Sequence, residues 1–163
     1  MSTVGSVDRL ASAAPAIRRA TPGDAAALSV LALSSKAVWG YDATFMAACR
    51  EELTITPDGI AGRPTWVLKE QGAILGFYQL RIAGGMADVA QFFIAPCSLR
   101  GGLGRRLWAH LEAQARAAGC TRLEVDSDPH AEGFYRAMGM IRSGDAASGS
   151  IRGRMLPHLQ KEL

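Results

Sequence analysis

Pro96-Cys97-Ser98-Leu99-Arg100-Gly101-Gly102-Leu103-Gly104-Arg105-Arg106-Leu107-Trp108 is the stretch around which the rest of the chain organises. Before it, Val89-Ala90-Gln91-Phe92-Phe93-Ile94 is rich in strand formers and reads as a β-strand. After it, Leu103, Leu107, Trp108, Leu111 and Ala115 recur at helical spacing and mark one apolar face. Between the two, Gly101, Gly102 and Gly104 remove side chains where a ligand or a second backbone comes close. The first turn of a helix presents unpaired N–H groups, and its dipole favours negative charge. Arg100, Arg105 and Arg106 add side-chain charge at the same end. A strand, a glycine turn and a basic helix start together make a phosphate site.

Several architectures build such a turn. A P-loop needs Lys and Ser or Thr after the glycines, and neither is present. A dinucleotide fingerprint needs G-x-G-x-x-G; Gly102 and Gly104 fit, but Leu107 stands at the third glycine. Glu124 and Asp126 lie where a ribose-binding acid would be, yet Pro96 to Arg100 separate the strand from the glycines.

The chain has 163 residues, 48% hydrophobic and 20% charged, which suits a single globular domain with a substantial core. Its net charge of +3 is too mild, and its Lys and Arg too dispersed, for a nucleic-acid arm. No apolar run approaches the ~18 to 20 residues of a membrane-spanning helix. Cys49, Cys97 and Cys120 are odd in number and widely spaced, so they read as reduced thiols of a cytoplasmic protein, with neither a disulfide frame nor a metal site. Residues 1–14 are small and polar, with Asp8 and Arg9 breaking any apolar run, and read as a disordered leader to a domain over 15–163.

In chain order, Ala16 to Arg19 reads as a first strand, and Thr21-Pro22-Gly23-Asp24 starts a helix running to about Ser34. A second helix follows over Phe45 to Leu53, capped by Asp42 or Thr44. Thr65 to Glu70 and Ala73 to Arg81 are strands joined by the Gln71-Gly72 turn, and Gly84-Gly85 turns into a strand over Met86 to Ala95. Gly119 closes the helix after the glycine turn. Thr121 to Asp126 is then parallel to the strand before that helix, because the crossover is helical. Ala131 to Met138 is a short helix, and Met140 to Ser143 and Ile151 to Leu156 finish the sheet. Trp39 and Tyr41 flank Gly40 and read either as core closure or as a substrate wall.

Pro96, Gly102 and Gly104, followed one helix and one strand later by Asp128-Pro129-His130-Ala131-Glu132-Gly133-Phe134-Tyr135-Arg136-Ala137-Met138-Gly139-Met140, resemble the two motifs of the GNAT superfamily of acetyl-CoA-dependent N-acetyltransferases. The chain departs from that pattern at three places: Leu99 stands for Gln or Arg, Asp128 for the frequent Asn, and Met140 for Phe. The resemblance implies an α/β (α+β) fold with a mixed, mostly antiparallel central sheet of about six or seven strands and helices on both faces. It implies acetyl-CoA as co-substrate, held by backbone at Phe93 and Ile94, by the turn Leu99, Arg100, Gly101, Gly102, Leu103, Gly104 and Arg105, and by Asp128 and Ala131. Tyr135 falls at the position of the general acid and Asp88 at that of a carboxylate base, with Trp39 and Tyr41 toward the acceptor. A phenol is protonated at neutral pH and can donate, whereas a surface Asp is a poor base unless burial raises its pKa. His130, whose ordinary pKa suits proton transfer, is a second base candidate. No Cys or Ser sits in a nucleophile motif, so direct transfer to a small-molecule or peptide amine is expected; a homodimer is compatible with this reading. The alternatives are a non-catalytic acyl-CoA sensor and a dinucleotide-binding module.

Overall fold

The computed structural model describes residues 14–99 and 101–163. Most of the expected leader and Arg100 lie outside the described residues. Seven strands form one sheet in the order β1-β2-β3-β4-β5-β7-β6. β1 (Ala16–Arg19), β2 (Thr65–Glu70), β3 (Ala73–Ala83) and β4 (Met86–Ile94) run antiparallel to their neighbours. β5 (Arg122–Asp126) is parallel to β4, and β7 (Met155–Glu162) lies antiparallel between β5 and β6 (Ile141–Ala147). The mixed, mostly antiparallel sheet expected from the hairpins is the one found. The two tight turns are as their glycines demand, with Gln71 and Gly72 at φ 49 and 80° and Gly84 and Gly85 at φ 57 and 74°.

Five α-helices cover both faces: α1 (Ala25–Ala37), α2 (Ala43–Cys49), α3 (Pro57–Gly62), α4 (Leu103–Ala117) and α5 (Glu132–Ala137). Because side chains alternate along a strand, neighbouring residues feed opposite cores. Val67 and Phe77 pack with Leu28, Leu31 and Ala32 of α1, whereas Leu68 and Tyr78 pack with Leu107, Trp108 and Leu111 of α4. The stripe read from the sequence as the buried face of α4 is the buried face. At roughly 1.5–3 kcal/mol for each large apolar side chain fully buried, these two layers fix the helices against the sheet.

Several elements differ from the sequence reading, α1 running on to Ala37 and β6 to Ala147 among them. α2 starts at Ala43, because the Asp42 carboxylate accepts from Phe45 N–H at 2.8 Å, and it ends at Cys49, short of Leu53. α3 was not expected: Thr56 caps it at Gly59 N–H and Pro57 opens it, but Gly59 and Gly62 lower its helix propensity, and Ile60 is its one buried anchor. The last strand is Met155–Glu162, not Ile151 to Leu156. The strand runs on through Pro157, whose carbonyl accepts from Ser127 N–H at 2.8 Å. No helix among the described residues is long and apolar enough to cross a membrane.

Candidate active site

β4 and β5 are paired only at Met86–Arg122, Ala87–Leu123 and Asp88–Glu124. Just beyond, Gln79 pairs with Gln91 but Leu80 pairs with Val89, so Ala90 is an extra residue on β4. Such a bulge bends its strand. From there β4 follows β3 and β5 follows β7, and the two parallel strands part. A cavity of about 520 Å³ opens in the gap, walled by Phe92, Phe93 and Ile94 on one side and Val125, Asp128 and Tyr135 on the other.

Backbone direction along β4 decides what the cavity is offered. Ala95 N–H donates to Leu75 C=O at 2.7 Å, toward β3. Alternation then turns the amide of Phe93 to β3 and those of Phe92 and Ile94 to the gap. The buried Ser35 hydroxyl donates to Ile94 C=O at 2.8 Å, pinning this free edge to α1 and leaving the Ile94 N–H to the cavity. Of the two amides expected to face the ligand, that of Ile94 lies on the free side of β4 and that of Phe93 on the β3 side; both residues line the cavity.

At the start of α4, Gly102 takes the N-cap position at φ 74°, a left-handed conformation that glycine adopts without strain. The N–H groups of Leu103, Gly104 and Arg105 precede the first i→i−4 bond, from Arg106 to Gly102 at 3.2 Å, and so have no partner within the helix. A Cβ on Gly104 would stand 3.3 Å from Phe134 Cε2 and 3.6 Å from Ile94 Cγ1, where the helix end, β4 and α5 converge. Leu99, Gly104 and Ala131 line the cavity; Gly101 and Arg105 are exposed beside it, and Leu103 packs against the core.

Tyr135 is buried against Phe92, Trp108 and Phe134, with ring centroids 6.3, 5.6 and 5.4 Å away. Its hydroxyl bonds to no described residue, while no buried side-chain oxygen or nitrogen is left without a partner, so the hydroxyl opens onto the cavity. Burial, with a smaller contribution from Asp128, raises its pKa, and the phenol keeps its proton throughout the neutral range.

The cavity wall also holds a polar cluster drawn from the end of α1 and three loops. Asp128 Oδ2 accepts from Lys36 Nζ at 3.0 Å and from the Tyr41 hydroxyl at 2.9 Å, and Oδ1 accepts from His130 N–H at 2.9 Å. Burial alone would raise the Asp128 pKa, but these donors outweigh it and hold the carboxyl below its usual range. Burial and the Asp128 charge push Tyr41 up to about 12. Arg154 donates to the Tyr41 oxygen at 2.7 Å, with its guanidinium 4.8 Å from the Phe45 ring centroid. Trp39 stacks on His130 at 5.1 Å and lines the cavity; Tyr41 stands behind Asp128.

Asp88 is not among the residues that line the cavity. It sits where β4 and β5 are still paired, and its carboxylate is bound by Arg81. Lys36, Arg154, Glu52 and Ser35 do line it, and sequence reading passed over all four. No local signal marks them: Arg154 lies in a turn without a motif, and Lys36 is one polar residue near a helix end.

A seven-stranded mixed sheet, parted at a β4 bulge and bounded by a glycine-capped helix start, defines a protein that admits an extended ligand with an anionic end between two parallel strands. The comparisons with known proteins agree. The family model described as an acetyltransferase (GNAT) domain matches residues 32–150. An aminoglycoside N(6')-acetyltransferase type 1 of Stenotrophomonas maltophilia is 32% identical over 138 residues, covering 77% of this chain and 86% of that protein. A GCN5-related N-acetyltransferase from Rhodopseudomonas palustris superposes with a TM-score of 0.76 at 23% identity, over 93% of this chain and 98% of that one. The PaiA N-acetyltransferase from Thermoplasma acidophilum, crystallised with coenzyme A, gives 0.78 at 15% identity, over 93% and 100%. The chain belongs to the GNAT acetyltransferase family. It is an acyltransferase with acetyl-CoA as co-substrate.

Proposed function

We propose that this enzyme transfers the acetyl group of acetyl-CoA directly to a primary amine bound in the same cavity, with Tyr135 protonating the departing thiolate. The single observation that carries this reading is the Tyr135 hydroxyl, otherwise unpartnered, opening onto a cavity that runs from the glycine turn to the Asp128 cluster. The coenzyme pyrophosphate sits on the N–H groups of Leu103 to Arg105, with Arg105 adding charge, and the pantetheine arm follows the free edge of β4 past Leu99 and Ala131. The Ile94 N–H lies on that edge, close to Gly104, and is available to an amide carbonyl of the pantetheine arm.

The amine nitrogen attacks the thioester carbon, and the C–S bond breaks as the tetrahedral intermediate collapses. The amine gives up one proton and the thiolate gains one. Asp88, tied to Arg81 outside the cavity, is poorly placed to take the amine proton. Glu52 lines the cavity, carries no ion pair with any described residue, and takes that role, directly or through water. The Tyr135 hydroxyl donates to the departing sulfur, and the thiolate takes its proton through that hydrogen bond. Solvent returns a proton to the phenol as Glu52 releases the one taken from the amine. The phenol pKa lies above that of a thiol, so Tyr135 acts chiefly by donating a strong hydrogen bond as negative charge builds on sulfur. The same burial raises the thiolate pKa and narrows the gap.

Tyr135→Phe removes one oxygen and keeps the ring. General acid catalysis contributes roughly 10²- to 10⁴-fold, so kcat should fall within that range while the acetyl-CoA Kd stays near wild type. An activated acyl thioester with a better leaving thiol should recover part of the loss. A variant with wild-type kcat, measured where chemistry limits turnover, removes Tyr135 from the mechanism.

A further inference from the structure

We infer that the acceptor amine carries a carboxylate, seated on Arg154 and Lys36 beside Asp128 on the cavity wall. This inference names the substrate class of the transferase site just described and rests on that reading.

It comes from a charge count that does not close. Arg154 and Lys36 both line the cavity with side chains only 18% and 14% exposed, and their one shared carboxylate is Asp128. Asp128 is already filled by Lys36, the Tyr41 hydroxyl and His130 N–H, and Arg154 stands 3.6 Å away, beyond a good hydrogen bond. A guanidinium has five N–H donors. Arg154 gives one bond, to the Tyr41 oxygen, and no other acceptor among the described residues takes the rest. Since no buried polar side-chain atom lacks a partner, the remaining donors are open to solvent, on a side chain that lines the cavity.

Two cations against one carboxylate, mostly withdrawn from water, is costly unless an anion completes the set. The guanidinium lies 4.8 and 5.2 Å from the Phe45 and Tyr41 ring centroids, so it is held ready and loses little freedom on binding. Of the other carboxylates on the wall, Asp126 is taken by His158 at 2.7 Å. Glu52 has no ion pair and is left for the amine. An amino acid or an acidic peptide-like amine therefore fits end to end: carboxylate on Arg154 and Lys36, nitrogen toward Glu52 and the thioester. The same two cations disfavour the ammonium form, which supplies the neutral nucleophile. A polycation such as an aminoglycoside meets the wrong sign here.

The test uses the full chain, acetyl-CoA and thiol release, with matched acceptors: amino acids, their carboxamides, the corresponding decarboxylated amines, polyamines and an aminoglycoside. With rates referred to the free-amine fraction, the acids should exceed their amides tenfold or more in kcat/KM. Arg154→Gln should erase that preference through KM while the acetyl-CoA Kd, by calorimetry, stays unchanged. Lys36→Gln is the second variant should the first not fold, and the wild-type comparison needs neither. Equal or better use of amides or polycations overturns the inference and leaves the transferase reading standing. So does a loss of acetyl-CoA affinity in Arg154→Gln, which would assign the cations to the coenzyme. Acetyl-CoA binding without acetylation of any amine overturns the transferase reading and the inference with it.

Discussion

Replacing Asp128 by Asn tests whether one carboxylate holds three loops together. The side chains are nearly isosteric, so packing survives and only charge is lost. Asp128 is 12% exposed and its partner Lys36 14%. Breaking a fully buried ion pair costs roughly 3–5 kcal/mol, because a charge is left without its counterion. Water reaches both partners here, so about half of that, ~2 kcal/mol, is the expected loss. For a chain of this size that corresponds to a fall in Tm of about 4–8 °C. Calorimetric melting of wild type and Asp128→Asn at pH 7 and low salt measures it directly. The sign with pH follows from the lowered folded-state pKa: the Asp128 contribution is complete above the usual carboxylate pKa of about 4 and is lost as pH falls through the lowered value. The gap between the two proteins should therefore narrow in acid. Salt should raise the Tm of the variant more than that of wild type, by screening Lys36 from Arg154. A variant melting within about 1 °C of wild type at pH 7, with no salt effect, would mean that solvent already neutralises the two cations, and the charge count around Asp128 would fail with it.

Glu52→Gln should lower kcat by roughly 10²-fold or more with acetyl-CoA affinity intact, while Asp88→Asn stays near wild type; steady-state kinetics showing the reverse ranking would return the base role to Asp88. Gly76→Val should cost several kcal/mol, since even a Cβ there would lie 2.7 Å from Ile94 Cδ1 and 3.0 Å from the Phe93 carbonyl oxygen, and denaturant melts would report it. Gly102→Ala meets open space but a φ of 74°, so it should lose about 1–2 kcal/mol from backbone strain alone, read in the same melts.

The fold was legible because its local signals agreed with one another. Hairpin glycines, alternating strand faces and the stripe on α4 all required the same sheet. The glycine turn was legible for the same reason: Gly102 and Gly104 lie within a dozen residues of the strand and helix they join, and Gly102 is the N-cap of α4. The polar cluster on the cavity wall was not. Lys36, Asp128 and Arg154 are brought together only because α1, the β5–α5 turn and the β6–β7 turn end at one side of the sheet, and no sequence spacing encodes that meeting. Asp88 was misplaced for a related reason. Counting back from Ile94 cannot see the extra residue Ala90, nor that Arg81 stands opposite on β3. The last strand was set too early, at Ile151 to Leu156, because no motif in that tail marks where its ladder with β6 and β5 lies.

The three residue pairs that join β4 to β5 have a thermodynamic consequence. Residues 16–94 build one leaf of the sheet and residues 122–162 the other, and past Asp88 and Glu124 nothing in the ladder bridges them. The protein alone is thus an unfinished sheet, with the outward amides of Phe92 and Ile94 as its open edge. A coenzyme arm laid along that edge would act as the missing strand and complete the tertiary structure from outside. Linkage then makes conformational stability a function of metabolic state: a ligand present at 100 times its Kd adds about 2.7 kcal/mol to the folded form. Hydrogen exchange along Phe92 to Ile94 and Val125 to Asp126 should slow together when that ligand is bound. On that placement, a shortage of acetyl-CoA would deprive the two leaves of their common strand and make this enzyme easier to unfold as well as idle.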